Sequence, residues 1–171
     1  SYSDTYKKLS KKWSVLPAYK KINDILKKLG DNQVILVISS TGSGKTVLLP
    51  KALLHIFNYK GHIAVTLPKQ IIAKSAAEYA AMTLDVEIGT HVGYKYKGSE
   101  KNSGSTKLLY ATDGTIVAKL LKDPLLSDFD GVCIDEAHEM KVQISFLLYL
   151  LKQTVKKRPE FKLVIMSATI N

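Results

Sequence analysis

Hydrophobic spacing changes along the chain, and the changes mark its elements. Residues 1 to 13 carry Tyr2, Tyr6, Leu9 and Trp13 at roughly helical intervals among lysines, and Pro17 interrupts. Ile22, Ile25, Leu26 and Leu29 then share one face of a second helix, closed by Gly30. From there short apolar runs alternate with longer helical patterns. Val34 to Ser39 reads as a buried strand, Thr46 to Tyr59 as a helix broken by Gly61, His62 to Leu67 as a strand and Lys69 to Leu84 as an Ala-rich helix. Glu87 to Gly93 reads as a short strand and Gly98 to Gly104 as a polar loop. Lys107 to Thr112 is a strand, and Thr115 to Leu121 a helix stopped at Asp123-Pro124. Asp130 to Asp135 (strand), Lys141 to Lys157 (helix) and Lys162 to Met166 (strand) complete the pattern. Strands alternating with helices predict an α/β fold, a mainly parallel sheet with helices on both faces. In such sheets ligands bind beyond the carboxyl ends of the strands.

One of those ends carries Ser39-Ser40-Thr41-Gly42-Ser43-Gly44-Lys45-Thr46, between the run Val34 to Ile38 and the helical pattern from Val47. Strand, glycine-bearing loop, Lys-Thr and helix form the layout of a nucleotide phosphate cradle, a P-loop. Small residues let backbone N–H groups of Thr41, Gly42, Ser43 and Gly44 approach phosphates, and the helix N-terminus adds partial positive charge. Lys45 would reach the β- and γ-phosphates and Thr46 would hold Mg²⁺. Ser39 stands where such loops place Gly, and it lacks glycine's freedom at positive φ.

A second end carries Asp135-Glu136-Ala137-His138 after Val132-Cys133-Ile134. Adjacent side chains at a strand end point in different directions, so two carboxylates can take separate roles. Asp135 would hold Mg²⁺ opposite Thr46, Glu136 would orient and deprotonate an attacking water, and His138 would sit near the γ-phosphate.

Composition narrows the class. The 171 residues suffice for one well-cored domain. The 46% hydrophobic and 23% charged residues match a soluble globular protein, and no apolar stretch is long enough to span a bilayer. The single Cys133 excludes an internal disulfide, reads as core rather than reactive, and leads us to expect an intracellular protein with no membrane partner. The formal net charge of +10 favours polyanions such as nucleic acid or nucleotide. Almost all of the basic residues are lysines, and Arg158 is the single arginine. Ser1 in place of Met, and a motif at the very end of the chain, suggest a piece of a longer protein.

From about Leu16 to Thr169 the chain resembles the first RecA-like domain of DEAH-box RNA helicases of superfamily 2. Thr41 to Thr46 matches motif I, Asp135-Glu136-Ala137-His138 motif II and Ser167-Ala168-Thr169 motif III. Thr66-Leu67-Pro68-Lys69-Gln70 resembles motif Ia, Thr112-Asp113-Gly114 resembles motif Ib, and Asp123-Pro124-Leu125-Leu126-Ser127 looks like the family's linker. The resemblance implies ATP or another NTP with Mg²⁺ as cofactors. It also implies contacts from Thr66, Pro68, Lys69, Thr112 and Asp113 to the backbone of an RNA (or DNA) strand, and coupling of hydrolysis to strand separation through Ser167 and Thr169. Residues 1–15 are then a basic N-terminal segment and 16–171 the ATP-binding domain.

Three departures from the family pattern stand out. Pro68-Lys69-Gln70 replaces the Pro-Arg-Arg of many relatives, and lysine is a point charge rather than a fork. Tyr79 occupies the register of an arginine that stacks on adenine, so Tyr79 is expected to stack on the base. Glu139 is followed by Met140 where relatives usually have Glu-Arg. In the family a second RecA-like domain of the same protein supplies arginine fingers. Without one, this chain is expected to be a monomer that binds nucleotide, hydrolyses it slowly and does not unwind. A nucleic-acid-binding scaffold with a structural nucleotide site is the alternative, and a P-loop small-molecule kinase a weaker third reading.

Overall fold

The computed structural model describes residues 2–13, 21–39, 45–139 and 142–168, without the side chains at 5, 12, 13, 39, 45 and 47. The strands are β1 (Val34–Ser39), β2 (Ile63–Leu67), β3 (Val92–Tyr96), β4 (Ser99–Lys101), β5 (Leu108–Thr112), β6 (Gly131–Ile134) and β7 (Lys162–Ala168). The helices are α1 (Asp4–Trp13), α2 (Ile22–Asp31), α3 (Lys45–Ile56), α4 (Gln70–Leu84), α5 (Asp113–Lys122) and α6 (Val142–Lys157), with a short 3₁₀ turn at Ala137–Glu139.

The strands form one sheet in the order β1-β7-β6-β2-β5-β3-β4, parallel throughout except for the β3–β4 hairpin. The α/β architecture expected from the alternating pattern is therefore the one observed. Each face has its own core. Leu29 of α2, Leu49 and Leu53 of α3 and Ala77 of α4 pack with Val65 on one side. Ile116 and Leu120 of α5 pack with Leu147 and Leu151 of α6 over Ala64 and Val132 on the other. Small Ala residues on the buried stripe of α4 let that helix lie close to the sheet. The lysine-rich α1 packs against α4, and its approach is fixed by Ser3, whose backbone N–H (2.9 Å) and hydroxyl (2.5 Å) donate to the Asp85 carboxylate.

Three local expectations need correction. The strand expected over 87–93 forms later, as β3. A turn occupies its place, with Gly89 N–H donating to the Val92 carbonyl at 2.7 Å and only a single bridge joining Ile88 to Val92. The apolar alternation through Val86 and Ile88 imitates a strand, and Gly89 at φ +93° ends it. The polar loop at 98–104 contains β4, which pairs antiparallel with β3 through the Lys97–Gly98 turn, Gly98 taking φ +90°. Polar sequence hid this strand because the hairpin is held by backbone bonds rather than by apolar burial. Close packing demands Gly93, since a Cβ there would meet the Lys101 carbonyl oxygen. Finally, β1 is an edge strand among the described residues. Leu36 and Ile38 are each 59% exposed while Ile35 and Val37 pack inward. A continuous apolar run does not distinguish an edge strand from a central one.

Candidate nucleotide and nucleic-acid site

Strand registers bring the motif-bearing ends to one edge. Ser39 pairs with Ala168, Thr66 with Ile134 and Leu67 with Thr112, so the carboxyl ends of β1, β7, β6, β2 and β5 lie side by side. Lys45 opens α3, which packs over β2, β6 and β7, and Thr46 lies half-buried in its first turn. Pro50, in the second turn, has no N–H to donate to the Thr46 carbonyl. Thr41, Gly42, Ser43, Gly44 and Thr169 lie outside the described residues, as does the side chain of Lys45.

Beyond β6 the chain turns sharply. Asp135 is buried, with its backbone N–H donating to the Thr66 carbonyl at 2.9 Å. Its Oδ1 accepts the Glu136 N–H at 2.8 Å. Glu136 adopts the left-handed conformation at φ +59°, a strain of about 1–2 kcal/mol for a residue with a side chain. The 3₁₀ turn at Ala137–Glu139 follows, with Glu139 N–H donating to the Glu136 carbonyl at 3.0 Å. This turn carries His138 back to Glu136, with Nε2 3.4 Å from Glu136 Oε2. Across the edge, Ala168 N–H donates to His138 Nδ1 at 3.1 Å. Nδ1 therefore accepts, and the ring proton sits on Nε2, facing the carboxylate. The carboxylates of Glu136 and Glu139 and the imidazole of His138 come within 4.8 Å of one another, a convergence that sequence spacing did not single out. Cys133, two residues before Asp135, is fully buried. Burial and the neighbouring Asp135 charge both push its thiol pKa up, which leaves it protonated and unreactive.

Asp135 and Thr46 offer oxygen ligands at the same sheet edge, the donor type that Mg²⁺ prefers. The other expected positions divide. Thr112 is half-buried at the head of α5, its hydroxyl 2.9 Å from that of Thr115. Pro68 is half-buried and Lys69 exposed where β2 passes into α4. Thr66 is fully buried, with its Oγ1 unpaired among the described residues, and Asp113 is buried in the first turn of α5. Ser167 is half-buried near the end of β7, and Tyr79 is half-buried on α4.

Arg158 lies at the opposite edge. Its Nη1 donates to the carbonyls of Leu125 (2.9 Å), Leu126 (3.1 Å) and Phe129 (2.8 Å), its Nε to Glu160 (2.8 Å), and its guanidinium sits 5.1 Å from the Phe161 ring centroid. These partners lie in the approaches to β6 and β7, at the amino ends of those strands.

A family model described as "DEAD/DEAH box helicase" matches residues 19–171. The L540 protein of Acanthamoeba polyphaga mimivirus is 48% identical over 99% of this chain and 25% of its own length. ATP-dependent RNA helicase HrpA of Borreliella burgdorferi is 43% identical over 91% of this chain and 19% of its own length. HrpA of Escherichia coli is 41% identical over 91% of this chain and 12% of its own length. The chain thus spans a quarter or less of the length of these curated relatives. With motif I after β1 and motif II after β6, the two strands that flank β7, and a family match over nearly its whole length, the chain belongs to the DEAD/DEAH box helicase family.

Proposed function

We propose that the chain is the first RecA-like, ATP-binding domain of an ATP-dependent RNA helicase. In the intact protein it would couple NTP hydrolysis to movement along RNA or to strand separation. The observation that carries this reading is the chain of contacts from Glu136 through His138 to the backbone of Ala168. It joins the expected general base to the strand leading into Ser167-Ala168-Thr169.

Each residue has a part. Thr41, Gly42, Ser43, Gly44 and Lys45 bind the triphosphate, and Tyr79 stacks on the base. Thr46 and Asp135 would hold Mg²⁺, which neutralises phosphate charge when bound. A Glu136 carboxylate oxygen accepts the proton of the attacking water. His138 Nε2–H faces Glu136 and holds it in position, while Nδ1 reports the placement of β7. Ser167 and Thr169 pass that placement on. Pro68, Lys69 and Thr112 hold the sugar–phosphate backbone, with the buried Thr66 and Asp113 beneath them. The arginine that completes the transition state comes from a second RecA-like domain, because Arg158 is engaged at the far edge. The chain alone, a monomer within a cell, then binds nucleotide, turns it over slowly and leaves duplexes intact.

The test is RNA-stimulated NTP hydrolysis by the full-length protein, wild type against Lys45→Ala and Glu136→Gln. Both variants should lose the stimulated rate. An unchanged rate in Glu136→Gln would favour a nucleic-acid-binding scaffold with a structural nucleotide site.

A further inference from the structure

Helix α6 is apolar on two sides. Ile144, Leu147 and Leu151 are buried in the core beneath it. Val142, Phe146 and Tyr149 follow one another at four- and three-residue steps on the side turned away from that stripe, and each is between 42% and 86% exposed. Helix α5 runs alongside in the same direction. A Cβ on Gly114 would meet the Gln143 amide at one end, and Thr154 Oγ1 donates to the Pro124 carbonyl at 2.7 Å at the other. Two turns beyond Gly114, Leu121 is exposed as well. Toward its carboxyl end α6 turns basic, with Lys152, Lys156 and Lys157 exposed and no acid anywhere in the helix. Glu160 and Asp123, near that end, are engaged already. Glu160 accepts from Arg158 Nε (2.8 Å), and Asp123 from the N–H groups of Leu125 (3.2 Å) and Ser127 (2.8 Å).

We propose that the outer face of α6 docks an amphipathic helix of another protein, one whose apolar stripe leads into glutamate or aspartate side chains that meet Lys156 and Lys157. A helix with apolar residues all round is ordinarily a buried one, and among the described residues nothing covers this outer stripe. Steps of four and three residues are the spacing at which one helix seats its side chains between those of another. An extended strand repeats every second residue and falls out of step with the stripe. The lysines at one end of the face set the charge of the partner. A second copy of this chain offers no acid in α6 to meet them. A nucleic-acid strand would lay phosphates over the apolar stripe as well as over the lysines.

The experiment measures, by fluorescence anisotropy, binding of the full-length protein to a labelled, helix-stapled peptide as long as α6. Its leucines follow the same alternating steps and glutamates occupy one end. The wild-type protein should bind this peptide more tightly than a scrambled one of the same composition. Tyr149→Asp should weaken binding on the order of tenfold with the melting temperature unchanged. Lys156→Glu combined with Lys157→Glu should weaken binding of the glutamate peptide and gain binding of a version carrying lysines in place of the glutamates. Absence of binding by the wild-type protein overturns the proposal, as do equal binding of the scrambled peptide, an unchanged affinity in Tyr149→Asp, and failure of the charge exchange. Vesicles of phosphatidylcholine and phosphatidylserine, or an oligouridylate, that displace the peptide and bind less well to Tyr149→Asp also overturn it, in favour of a membrane or a nucleic acid.

Discussion

The backbone N–H of Ala168 donates to Nδ1 of His138 across 3.1 Å, and this bond ties the turn after β6 to the end of β7. It fixes the tautomer that directs Nε2–H at Glu136. His138→Ala removes both contacts, so Glu136 loses its brace and β7 its anchor. The expected result is a fall in RNA-stimulated hydrolysis by the full-length protein on the order of 10–100-fold. Nucleotide affinity should change little. Steady-state rates measured beside equilibrium nucleotide binding separate the two effects.

Glu136→Gln keeps the shape of the side chain and removes the basic oxygen. Hydrolysis by the full-length protein should drop by about 10²–10⁴-fold, with thermal stability close to wild type. Glu136→Gly, by contrast, should relieve the backbone at φ +59° and raise the melting temperature while also abolishing turnover. Calorimetry on the two variants distinguishes strain from chemistry.

Much of this was legible in the residues. The strand-to-helix changes of period gave the layer architecture, and the two motif-bearing strand ends did fall on one edge, because parallel connections oblige every carboxyl end to point the same way. What stayed hidden depended on partners distant in sequence. Polar β4 is a strand only because β3 lies beside it, and β1 is exposed only because of its place in the strand order. The left-handed Glu136 had no signal, since glutamate gives no hint of a positive φ.

Gly93 carries the hairpin. Gly93→Ala places a methyl group against the Lys101 carbonyl and should separate β4 from β3. Hydrogen exchange should accelerate at residues 99–101 while β5 to β7 keep their protection.

Lys51 gives a dependence on pH. Burial lowers its ammonium pKa from 10.5 to about 8. The unfolded chain therefore binds more protons than the folded one between these values, and stability gains from rising pH in that window. Below about pH 8 the burial cost is fully present. The wild-type chain should gain stability as pH rises from about 8 toward 10.5, and Lys51→Met should lose that gain. Urea titrations of both proteins at several pH values check the sign.

Arg158→Lys loses the fork that joins three carbonyls before β6, and should cost about 2–4 kcal/mol in urea unfolding without altering nucleotide affinity.

That placement has a larger consequence. With its one guanidinium committed at the base of the sheet, the chain would, on the proposed reading, make loading and firing two separate events. Under the proposed function, triphosphate would be taken up and kept intact until a neighbour closes over it, and the moment of consumption would be decided by geometry outside these residues and not by their own occupancy.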